Sequence, residues 1–91
     1  RVQEYSNLFL KLYGLYLKFG FAKNEKDIVF LHKYFYSQLP HYEEQKLSFR
    51  EKYFVYTAHV WYSYMVQDFL TCYRYAQKCV DLFDQDEKKL V

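Results

Sequence analysis

Glycine and proline are nearly absent, with two and one in 91 residues. Two glycines cannot build the loop of backbone N–H groups that cradles a phosphate. Cysteine is equally scarce. Cys72 and Cys79 lie seven apart on one predicted helix, which separates them by about 10 Å along its axis. A disulfide needs Cα atoms about 5.5–6 Å apart, so they cannot pair there. They are expected to be buried, reduced and structural, which suits a cytoplasmic setting. His32, His41 and His59 stand nine and eighteen residues apart, with no HExxH. That spacing builds no helical metal site, and each reads as a solvated or hydrogen-bonded histidine. Glu43 and Glu44 are adjacent, so their side chains diverge and read as solvated linker, not an acid/base pair. Cys72 falls on an expected buried face, where a thiol is inert. No catalytic constellation, metal site or cofactor box emerges, and the chain reads as a non-enzyme.

Charge of one sign is also lacking in bulk. Thirteen basic and eleven acidic residues give a net charge of +2, without the basic stripe that tracks nucleic-acid phosphates. The most apolar run, Leu8 to Phe21, contains Lys11 and Lys18 and is too short to cross a bilayer. Neither nucleic acid nor membrane is therefore an expected partner. The chain starts at Arg1 without a methionine, which reads as a fragment of a longer protein.

Aromatic rings are what the chain has in excess. Twelve Tyr, nine Phe and one Trp make up 24% of it. A domain this small buries only about 60–70% of its unfolded surface. A core of that size cannot hide so many rings. Tyrosine suits half-burial, with its ring packed and its hydroxyl wet, so several rings are expected on a surface that meets something else.

Ser48 to Phe83 organises the chain as a helical hairpin. Ser48-Phe49-Arg50-Glu51 has the form of a capping box. Phe54, Ala58, Trp61 and Met65 then follow at helical spacing. Val66-Gln67-Asp68 makes a tight turn, with Asp68 as the next N-cap. The following helix is expected to bury Phe69, Cys72, Ala76, Cys79, Val80 and Phe83 and to expose Thr71, Arg74, Lys78 and Asp81. The small residues Cys72, Ala76 and Cys79 predict a close approach filled by Phe54, Trp61 and Met65. On that reading, Ala76→Leu overpacks and costs roughly 1–3 kcal/mol.

A looser hairpin, residues 2–40, precedes it. Val2–Phe19 reads as a helix apolar on two sides. Tyr5, Leu8, Phe9, Leu12, Tyr16 and Phe19 form one side, and Leu10, Tyr13 and Leu17 the other. Such a helix packs on two sides, which predicts self-association or flanking repeats. Gly20 reads as a C-cap and Asn24 with Asp27 as the next start. The second helix runs from Glu25 to about Leu39, with Ile28, Leu31, Phe35 and Leu39 inward, and Pro40 ends it. Phe30, Tyr34 and Tyr36 are expected as outer or inter-repeat contacts. Residues 41–47 read as a polar linker and 84–91 as a charged tail that extends the last helix or frays. The sum is a single all-α domain over 1–91, four antiparallel helices in two hairpins.

The pattern resembles tetratricopeptide-type helical repeats. Leu10-x2-Tyr13-Gly14-x2-Leu17 is similar to their first-helix signature, and Pro40 stands at the closing proline. In the second copy Cys72 and Cys79 resemble the two small second-helix positions. Ile28 and Phe35 are large where the first copy should be small, Val60 replaces glycine, Asp84 replaces proline, and helix starts Tyr5 and Phe49 are 44 residues apart. The resemblance implies a two-hairpin α-solenoid fragment that acts as a protein–protein interaction or scaffolding module. It further implies a concave groove lined by Lys11, Leu15 and Lys18 in the first copy and Thr57, Trp61 and Tyr64 in the second. Two lysines seven apart beside aromatics suit an acidic or C-terminal carboxylate segment. The partner is then a protein or peptide, a flanking repeat, or a second copy. The alternative is a sensor or oligomerisation segment of a larger bacterial-type regulator, without a ligand of its own.

Overall fold

The computed structural model describes residues 2–90, with the side chains of 2–85. Four helices form two hairpins: α1 Val2–Phe19, α2 Glu25–Gln38, α3 Phe49–Met65 and α4 Phe69–Leu90, with a 3-10 turn at Glu44–Lys46. No strand occurs among the described residues. The helix starts follow their caps. Asn24 Oδ1 accepts from the Asp27 N–H, and Asp68 Oδ1 accepts from the Thr71 N–H. Ser48 and Glu51 close the expected capping box in both directions. The carboxyl of Asp68 is held below its usual range by the hydroxyl and N–H of Thr71. Gly20 and Gln67 take positive φ, 68° and 63°, which turns the chain sharply after α1 and after α3.

α3 is the axis of the molecule. It lies along α1 on one side and along α4 on the other, and α2 stands further off. The loop after α1 and the turn after α3 sit at one end. There the Ala22 N–H donates to the Met65 carbonyl at 2.8 Å, and the Gln67 amide donates to the Ala22 carbonyl at 3.0 Å. α1 and α3 therefore run parallel, with α2 and α4 returning beside them. Leu8, Leu12, Phe35 and Ala58 form the middle of the core. Ala22, Leu31 and Met65 close it at the turn end, and Tyr5, Val55, Tyr56 and Leu82 close it at the other.

The phase of α4 differs from the expected one. Ala76 is exposed, and so are Phe69, Val80 and Phe83. The inward row is Cys72, Tyr75, Cys79 and Leu82, with Thr71 and Lys78 half-buried beside it. The helix is turned by about a quarter-revolution. Two contacts fix that phase: Tyr75 stacks on His59 at 4.1 Å, and Lys78 pairs with Glu44 at 2.9 Å. Phe54 and Trp61 consequently meet α1, not α4. Both cysteines are free and half-buried, not buried.

Smaller differences belong to the first half. Ile28, expected inward, is exposed, whereas Tyr36 is half exposed and packs edge-on against Tyr62 of α3, in keeping with an outer or inter-hairpin contact. Phe19 is also exposed and stacks on Phe30. Residues 41–47 are a largely exposed linker, as expected, but not a loose one: Tyr42 and Leu47 pack on the core, and Glu44 ties the 3-10 turn to α4. Beyond Phe83 the helix continues to Leu90, so the charged tail takes the first of its two expected courses and extends α4.

Candidate interaction surface

An aromatic belt runs along the seam of α1 and α3. Phe9, Tyr13 and Tyr16, spaced four and three apart, present one row of rings from α1. Phe54, Trp61 and Tyr64 answer from α3. Phe9 meets Phe54 at 6.4 Å, Tyr13 meets Trp61 edge-on at 5.6 Å, and Tyr16 meets Trp61 at 5.1 Å and Tyr64 at 5.9 Å. Phe21, from the loop, closes the end against Tyr64 at 4.8 Å. The belt continues onto α4 through Tyr64 with Phe69 and Tyr53 with Phe83. Each such pair is worth about 0.5–1.5 kcal/mol beyond its burial. The rings therefore hold one another in place even where one face is wet.

Of the six residues assigned to a groove by resemblance, three come together. Thr57, Trp61 and Tyr64 share one face of α3, half-buried. The Thr57 hydroxyl donates to the Tyr53 and Phe54 carbonyls, so it is satisfied within its own helix. The α1 trio stands apart. Leu15 packs with Ala22, Leu31 and Met65, and Lys11 donates to Gln38 of α2 at 3.1 Å. Lys18 is exposed, seven residues on from Lys11. The α1 residues that meet Trp61 and Tyr64 are Tyr13 and Tyr16. Their spacing was visible, but the all-round apolarity of α1 hid which stripe faces α3.

The opposite side of α3 holds the polar groups. His59 is 7% exposed, stacked on Tyr75 and edge-on to Phe35 at 5.0 Å. Its Nε2 and the Tyr5 hydroxyl have no hydrogen-bond partner. This departs from the solvated or hydrogen-bonded histidine expected from sequence. Burial, with the positive charge of Lys78 adding, pushes His59 down to about 4. It is neutral at pH 7 and acts as a flat ring between two others. Lys78 lies 5.1 Å from the Tyr56 ring centre and 5.4 Å from that of Tyr75. Its hydrogen bond to Glu44 raises its proton affinity. Tyr42 is pushed up to about 12, mainly by burial and then by Tyr75 and Glu44. An open pocket of about 200 Å³ lies between Glu44, Lys52, Lys78 and Asp81, where opposite charges already offset one another. His32 Nδ1 and the Tyr62 hydroxyl share a hydrogen bond at 3.0 Å.

Among the described residues no group of three His, Cys, Asp or Glu is placed to hold a metal ion, and no helix is long and apolar enough to cross a membrane. No family model matches this chain, and neither a curated protein nor a solved structure matches it.

Proposed function

We propose that this chain is a protein-interaction and scaffolding module, built from helical hairpins of the tetratricopeptide type, that receives an apolar helical segment of a partner. The observation that carries the reading is the belt of rings on α1, α3 and α4. Large exposed apolar patches on small proteins mark places where another molecule sits. Aromatic residues dominate interface energetics because they bury much area at little entropic cost. The parallel side-by-side placement of α1 and α3, with caps repeating at Asn24 and Asp68, supports the repeat reading. Gly14 is a departure from it, since a Cβ there would meet open space, not a close neighbour. Two free thiols suit a reducing, cytoplasmic setting.

Trp61 is the sole tryptophan, so its emission reports occupancy of the belt. The test is selection from a displayed library of helical peptides, followed by titration of the enriched sequences. The expected peptides carry an apolar i, i+3/i+4, i+7 stripe and shift Trp61 emission on binding. Tyr64→Asp should weaken them by about tenfold or more. A library that enriches nothing, or peptides indifferent to Tyr64→Asp, would overturn the reading. The alternative, an oligomerisation segment of a larger regulator, is favoured by one observation: α1 and α4 each expose an apolar ridge.

A further inference from the structure

α4 is an edge helix. Among the described residues only α3 lies along it, held by the inward row Cys72, Tyr75, Cys79 and Leu82. The second apolar row of α4 is wet. Phe69, Tyr73, Val80 and Phe83 are 56%, 66%, 53% and 46% exposed, and Ala76 in their midst is exposed too. Spacing along this row is four, three, four and three. That is the a/d seam of a paired helix, kept through two heptads. No charged residue stands in it. Its end rings are already set in place, Phe69 against Tyr64 and Phe83 against Phe49 and Tyr53.

Area gives the size of the missing cover. The chain has 6409 Å² of accessible surface at a mass of 11.4 kDa. A self-contained monomer of that mass exposes about 5,800 Å², which leaves a surplus of about 600 Å². A full aromatic side chain offers about 150–250 Å². On that scale the exposed parts of the row, with Leu70 on its flank, come to roughly 500 Å². Hiding this much on each of two copies removes about 1,000 Å², the size at which specific interfaces begin.

The row is also its own complement. Ala76 is the midpoint, with Phe69 seven residues before it and Phe83 seven after. A two-fold axis at Ala76 lays Phe69 of each copy against Phe83 of the other. It sets alanine opposite alanine, where two backbones can approach closely. Charge selects the direction. A parallel pair would put Arg74, Asp81 and Asp84 each level with its own like charge. The antiparallel pair brings the exposed Arg74 within one turn of the partner's exposed Asp81, at both rims. Lys78, on the level of Arg74, is turned inward onto Glu44.

We propose that α4 pairs antiparallel with α4 of a second copy, about a two-fold axis at Ala76. The proposal rests on the interaction-module reading and narrows it to one partner helix, the chain's own. The interface is isologous, so assembly closes at a dimer.

Sedimentation equilibrium tests closure. Wild type should rise to twice the monomer mass with concentration and stop there. Tyr73→Glu/Val80→Glu places a good helix former at two exposed positions. It should pair at least ~100-fold more weakly with helicity unchanged. Cross-linking tests direction, in a Cys72→Ala/Cys79→Ala background, and decides the matter if the glutamate variant loses helicity. Ala76→Cys should oxidise to a disulfide dimer, because position 76 meets itself. Phe69→Cys alone should not, since its two copies lie about 20 Å apart, but it should link to Phe83→Cys when the two are mixed. Wild type that stays monomeric to about 1 mM, a mass that climbs past the dimer, pairing indifferent to the glutamates, an Ala76→Cys chain that does not cross-link, or Phe69→Cys that links to itself would each overturn the proposal. A monomeric wild type that still captures library peptides removes self-pairing and leaves the module reading in place. A dimer whose monomeric Tyr73→Glu/Val80→Glu form captures none does the reverse.

Discussion

The two sides of α3 are stabilised by different physics. Towards α1 the contact is mostly hydrocarbon and ring: Leu8, Leu12, Ala58, Trp61 and Met65, with the buried hydroxyl of Tyr5 at its far end. Towards α4 it includes His59, Ser63 and Tyr56, with Lys78 of α4 lying over the Tyr56 ring and paired with Glu44 of the 3-10 turn. Dispersion and water release are indifferent to pH and tolerant of angle. Buried polar rings are neither. The α1 side therefore supplies bulk stability, while the α4 side sets orientation and makes that orientation sensitive to protons.

The strongest way to break the first side is Leu12→Ala. Leu12 is fully buried beside Leu8, Phe35 and Ala58. Denaturant unfolding should show a loss of about 2–5 kcal/mol, equal at pH 7 and pH 5. A loss that varied with pH would blur the contrast between the sides.

The second side should answer to acid. The folded His59 takes its proton near 4, against 6.5 in an unperturbed histidine. Between those values the unfolded chain holds more protons than the folded one. Stability from this residue is full above about pH 6.5 and is lost as pH falls towards 4, by about 3 kcal/mol in all. Below that no further loss comes from it. His59→Leu should remove this slope, so the difference between wild type and variant isolates it from the carboxylates. Parallel pH profiles for the two proteins would contradict a depressed His59.

Weaker effects follow from the surface of the α4 side. Glu44→Gln breaks a pair whose side chains are 43% and 47% exposed. Solvent screening limits the loss to roughly 0–1 kcal/mol, and 1 M salt should erase it. Smallest of all is Ala76→Leu. Its exposed position predicts a change within about ±0.5 kcal/mol, measured at a concentration low enough to keep the chain monomeric. A loss of about 1–3 kcal/mol would instead restore the tight stripe expected from small residues.

That reversal shows where the sequence was legible. Helix ends were, because each is written in one or two residues: Asn24, Ser48 with Glu51, Asp68, and Pro40. The turn at Val66-Gln67-Asp68 was also plain. The rotation of α4 was not. It carries two apolar rows, Phe69-Tyr73-Ala76-Val80-Phe83 and Cys72-Tyr75-Cys79-Leu82, and periodicity alone does not choose between them. The choice is made by partners distant in sequence, His59 and Glu44, which favour Tyr75 and Lys78 inward. α3 was misread for a related reason. A helix packed on several sides shows rings at every angle, so Phe54 and Trp61 gave no sign that they belong to α1. The belt inherits that ambiguity, which is why Thr57, Trp61 and Tyr64 were found and Tyr13 and Tyr16 were not.

The brevity of the connection between α3 and α4 also bears on the order of folding. Only Val66, Gln67 and Asp68 separate the two helices, so their contacts close small loops at little entropic cost. α1 must instead reach α3 across the whole of α2 and the segment behind it. Local closure comes first when nothing else intervenes. The α3–α4 hairpin should therefore be largely formed in the transition state, with α1 docking afterwards. Leu12→Ala would then act chiefly by speeding unfolding, whereas truncating Leu82 would slow refolding.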